Sequence, residues 1–145
     1  MTLYVWLKLF HLLGLVVFLF AHGISGGASF AIGRTAEADT RRLLRISQVS
    51  AIFSNPGLLV VIVTGVWMAW IGSYWSRGWP WAAIVVLAVT IAAMVFFARP
   101  YYMARDATSD VALNTALGRF QPRAAAIVGA VALLVLVFLM VVKPF

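Results

Sequence analysis

The chain has 145 residues, of which 64% are hydrophobic and only 10% charged, against roughly 25% charged in a soluble domain. That much apolar surface does not fit into a core of this size, and it falls in long blocks, as crossing a bilayer requires. The absence of cysteine excludes disulfides, iron–sulfur clusters, thiolate haem ligation and cysteine nucleophiles. Most of the arginines behind the net charge of +7 lie in two short loops, the pattern of a membrane protein and not of a nucleic-acid binder.

Stretches free of Asp, Glu, Lys and Arg run over 9–33, 46–76, 78–98 and 124–142. Each is long enough to span. The first follows Lys8, as a signal h-region follows its charged n-region, but its apolar run exceeds the roughly 7–15 residues of such an h-region. It is therefore read as a retained helix. The second is too long for one straight crossing, and Asn55-Pro56 divides it. Ser54 or Asn55 can cap a helix there, with proline at its first position. On that reading 41–53, with Leu44, Val49, Ile52 and Phe53 among arginines, lies on the interface; the alternative is one helix kinked at Pro56. The predicted spans are 3–32, 55–73, 80–103 and 123–142. Between the last two, Ser109 or Asp110 can cap a short interfacial helix ending near Gly118. The short connections predict sequential antiparallel packing. The expected architecture is one all-α domain over 1–145, a transmembrane four-helix up-down bundle.

The first loop carries Arg34, Arg41, Arg42 and Arg45, and the third Arg99, Arg105, Arg119 and Arg123; the second has only Arg77. The positive-inside rule puts loops one and three in the cytoplasm and both termini outside, in a bacterial-type inner membrane. Tyr4, Trp6, Tyr74, Trp75, Trp79 and Trp81 then mark the outer headgroup level and Tyr101 and Tyr102 the inner one. The outer group can also be read as an aromatic pocket.

The first helix carries the two histidines, His11 and His22. Eleven residues bring a straight helix to within about 20° of whole turns, so both are expected on one face, roughly 16 Å apart along the axis. Gly14, Phe18, Ser25, Gly26, Ser29 and Gly33 share that face, which is small and weakly polar and suits helix packing. An intramembrane histidine is a functional candidate. At that separation the two cannot share one ion, so they would serve two sites. Haem iron takes one or two axial ligands, imidazole among them. A second ligand would have to come from a partner subunit, a second copy paired through helix one, or a methionine, with Met68 and Met94 inside spans. The competing reading is that each histidine is packed and hydrogen-bonded, His22 to a carbonyl or to Ser25.

All four acids, Glu37, Asp39, Asp106 and Asp110, fall in the loops expected inside. No span carries the carboxylate on which proton-coupled transporters generally rely, and no nucleophile-and-base arrangement points to a hydrolase. Thr64, Thr90 and Ser73 read as hydroxyls bonded to their own helix, and Thr64-Gly65 with Gly72 as close packing. Arg99 ends the third helix, either as an anchor or as the partner of an acidic group such as a haem propionate or a lipid headgroup.

The run Leu7-Lys8-Leu9-Phe10-His11-Leu12-Leu13-Gly14 resembles the opening helix of the copper-resistance D family, the J-type protoporphyrinogen oxidase family and an uncharacterised family of small predicted integral membrane proteins. Thr64-Gly65-Val66-Trp67 is similar to the last of these. The resemblance covers about half the chain. It implies haem ligation by His11, with no counterpart for His22. The resulting expectation is a membrane protein binding b-type haem, or copper, through His11, with His22 and Arg99 as further cofactor contacts, for electron transfer or haem handling. The alternative is a non-catalytic transmembrane subunit, in a homo-oligomer or with other membrane subunits.

Overall fold

A computed structural model describes residues 2–32 and 37–144, with side chains from residue 39 onward in the second stretch. Gly33 and Arg34, parts of the predicted first helical face and first loop, lie outside the described residues. Five α-helices follow one another: α1 (Leu3–Ala31), α2 (Glu37–Ile71), α3 (Gly78–Arg105), α4 (Asp110–Gly118) and α5 (Pro122–Val142). Four of them, α1, α2, α3 and α5, are long and apolar enough to cross a membrane. The protein is an all-α, four-helix membrane bundle. Side chains such as Phe20, Trp70 and Phe96, each 74% exposed, cover its outside, where hydrocarbon takes the place of a protein core.

Of the two readings at Asn55-Pro56, the structure takes the second: α2 is a single helix of 35 residues that continues through Pro56. At about 1.5 Å per residue it is about 52 Å long, well beyond the roughly 30 Å of hydrocarbon. A helix of that length spans the hydrocarbon with turns to spare, and its N-terminal turns carry Arg41, Arg42 and Arg45. Proline lacks the N–H that would bond the carbonyl four residues back. The helix continues because its neighbours hold it: the next residue, Gly57, lies against the backbone of Phe18 in α1.

α1 packs mainly on α2, and α3 mainly on α5; contacts between these two pairs are sparse, and among the described residues the backbones of the diagonals α1–α3 and α2–α5 do not approach closely. The tight pair is built on a seven-residue repeat. In α1 the buried residues include Leu7, Gly14, Ala21 and Ala28. In α2 Thr40, Ser47 and Ser54 repeat at the same interval, as do Ser50, Gly57 and Thr64, all buried. A strict heptad holds two helices together only if they coil around each other. Small residues let the backbones approach, which is how helices gain packing energy in lipid. Ser25 Oγ meets Ser47 Oγ across the seam at 2.6 Å. In the other pair, Met94 reaches Gly129, whose missing side chain makes its room.

At the arginine-rich end the short helix expected between the last two spans is present as α4. Ser109 caps it, accepting from the Ala112 N–H at 3.3 Å. Leu113 and Ala116 of α4 pack with Leu44, Tyr101 and Ala104 in the main buried cluster, and Arg41 of α2 pairs with Asp110 at 2.5 Å. That ion pair is exposed and contributes little. Losing the cap costs more: Ser109→Ala should lower stability by about 1 kcal/mol, read as a lower melting temperature in detergent. An unchanged melt would mean that α4 does not unfold together with the spans.

Candidate cofactor site at the seam of the first two helices

His11 sits on the heptad seam and is 7% exposed. Antiparallel packing sets Thr64 and Gly65 of α2 opposite it. A Cβ on Gly65 would stand 3.2 Å from His11 Cε1, so the glycine makes room for the ring. Thr64 Oγ1 lies 3.0 Å from His11 Nδ1 and 2.5 Å from the Val60 carbonyl.

These distances assign the protons. A threonine hydroxyl has one hydrogen. The carbonyl can only accept, and at 2.5 Å it takes that hydrogen. Thr64 Oγ1 is left as an acceptor toward the ring, so Nδ1 carries the imidazole proton. The Val61 carbonyl, 3.3 Å from Thr64 Oγ1, stands beside the ring as a second acceptor. The neutral ring then has its lone pair on Nε2. A hydrogen bond on one ring nitrogen that orients the other is the arrangement that prepares a histidine to bind metal.

His22 is placed differently. It is exposed and stacks on Phe18 with ring centroids 5.3 Å apart. It has no hydrogen bond among the described residues, and Ser25, its suggested partner, bonds Ser47 instead. The expectation that both histidines share one face is corrected, because the seam follows the heptad and not the straight helix. Against 3.5 residues per turn, eleven residues overshoot by about 50° instead of 20°. His22 thus falls one position past Ala21, off the seam.

Arg99 lies at the other end of the molecule from His11. It lines a groove between the end of α3 and α4, and α3 is diagonal to α1. The structure therefore does not bring Arg99 to His11. Nor can a second copy pair its His11 through this face, because α2 of the same chain covers it. Among the methionines offered as ligands, Met94 is engaged with Gly129. Met68 is half-buried and one turn beyond Thr64 on α2. Thr64 itself is the residue that the sequence reading undervalued. It bonds its own helix as expected, as Thr90 does to Val86, but it also holds His11.

Among the described residues no three histidine, cysteine or acidic side chains gather as a metal site. At the aromatic end, Tyr74 and Trp79 stand 5.5 Å apart with the Lys143 ammonium 5.0 and 5.6 Å from their ring centres. The space in front of these rings is taken by the chain's own lysine. The Tyr74 ring also fills the place of a side chain at Gly72, so that glycine serves the turn.

Comparison with protein-family models, with curated proteins and with solved structures gives no match.

Proposed function

We propose that this integral membrane protein binds b-type haem through His11 and serves electron transfer or haem handling in a bacterial-type inner membrane. The arginine-rich end faces the cytoplasm on this reading, as the loop charges require. The observation that carries it is the buried 3.0 Å contact between His11 Nδ1 and Thr64 Oγ1, which, with Thr64 donating to Val60, leaves Nε2 with its lone pair inside a span. Haem asks for one or two axial ligands, which suits a single oriented histidine better than copper, for which more donors would have to converge. Met68, one turn beyond Thr64, is the candidate for a second ligand on α2. Haem supplies a one-electron couple within the membrane; the chain supplies the oriented imidazole and an apolar surround.

The test is a reduced-minus-oxidised absorption spectrum of protein purified from its native membrane, beside His11→Ala. A b-type band that is lost in the variant supports the proposal. Absence of the band from the unaltered protein sinks it.

A second reading, a non-catalytic subunit of a larger membrane complex, is favoured by a different observation. His22 faces outward without a hydrogen bond, beside Gly23, Gly26 and Gly27, where a Cβ would meet nothing within 4 Å. This is the approach a neighbouring helix needs. A stoichiometric membrane protein that copurifies with the chain, together with a featureless spectrum, would favour this reading.

A further inference from the structure

The groove that contains Arg99 has a volume of about 780 Å³ and lies between the last turns of α3, the outer face of α4 and the start of α5. Its polar contributors include Arg99, Arg119, Thr115 and Gln121, and its apolar ones include Phe96 and Met103. No carboxylate lines it. The ion pairs among the described residues join Arg41 to Asp110 and Arg42 to Asp39, so both guanidiniums of the groove are without a carboxylate partner there.

Depth narrows the occupant. Arg99 is 21 positions beyond Gly78, where α3 begins, or about 32 Å along the helix. That is one hydrocarbon thickness, which puts the guanidinium at headgroup level. Phe96, on the same groove and one turn toward the hydrocarbon, is 74% exposed. The occupant needs a negatively charged phosphate at one end and hydrocarbon at the other.

We infer that this groove binds an anionic phospholipid, its phosphate held by Arg99 and Arg119 and its acyl chains lying along Phe96, one turn toward the hydrocarbon from Arg99. Fork-shaped guanidiniums suit phosphate oxygens, and basic recesses at the cytoplasmic ends of spans take acidic headgroups. The site is separate from His11 and does not depend on haem.

Native mass spectrometry of the full chain in detergent, titrated with phosphatidylglycerol and with phosphatidylcholine, tests it. The unaltered protein should retain phosphatidylglycerol roughly 30-fold more strongly, given two arginines at about 1 kcal/mol each. The double variant Arg99→Gln with Arg119→Gln should lose that preference, while Arg77→Gln at the opposite end keeps it. Equal retention of the two lipids by the unaltered protein overturns the inference, without reliance on any variant. So does a preference that survives the double substitution. Displacement of the lipid by excess glycerol phosphate also overturns it, because the groove would then read a free phosphate group alone.

Discussion

Gly57→Ala should destabilise the protein, while Gly23→Ala should leave it as stable or slightly more so. In a helix with open surroundings, alanine is better than glycine by up to about 1 kcal/mol, and Gly23 has such surroundings. At Gly57 the new methyl would stand 2.9 Å from the Phe18 backbone nitrogen and 3.1 Å from the Gly14 carbonyl oxygen. Both neighbours are main chain and cannot rotate away, so α1 and α2 must separate. Overpacking of this kind costs about 1–3 kcal/mol, which outweighs the gain in helix propensity. Gly57→Leu, with a side chain far larger than the gap, should yield no folded monomer in detergent. The loss falls on the seam that also holds His11, so the structure around the imidazole should loosen with it. Melting temperatures followed by circular dichroism decide the matter. Equal melting of the Gly57→Ala and Gly23→Ala proteins would show that the close approach of the two backbones contributes nothing to stability.

The spans were legible because lipid demands long, uncharged, helical stretches, and 78–98 and 124–142 admit no other reading. The capped helix after Ser109 was legible for a local reason, the match between a capping hydroxyl and the amide three residues on. What failed was whatever depended on a partner helix. Asn55-Pro56 carries a strong local signal for a helix start, yet the seam with α1 overrides it; the cost of a missing N–H is set against packing along many turns. His22 was placed by the pitch of a straight helix, and the seven-residue spacing of the buried α1 residues takes it off the shared face. Thr64 looked like an isolated hydroxyl until the register of α1 against α2 was known. That register was in part readable: glycines at 14 and 57 and serines at 25 and 47 pair in an antiparallel seam, but only once α2 is allowed to begin before Pro56.

Thr64→Val should weaken haem binding about 10–100-fold, the usual cost of removing the outer partner of a ligating histidine, while Thr64→Ser should bind nearly as the unaltered protein does. Valine keeps the shape of threonine and removes the oxygen, so the seam stays filled and the ring loses its nearest acceptor. Nδ1–H would then have the Val61 carbonyl beside it, a less direct partner, which is why the expected loss is large but not complete. Serine restores the oxygen one methyl group short and can make the same bond to Val60. The tautomer gives a readout that does not need haem. Nitrogen-15 spectra of labelled histidine should show Nδ1 protonated in the unaltered protein and in Thr64→Ser, and a shift toward Nε2–H in Thr64→Val. If the valine variant binds haem like the unaltered protein, Thr64 only packs the seam and His11 needs no orienting partner. If the tautomer shifts and no variant binds haem, the hydrogen bond stands as a structural link between α1 and α2, and the reading of the chain as a membrane subunit gains.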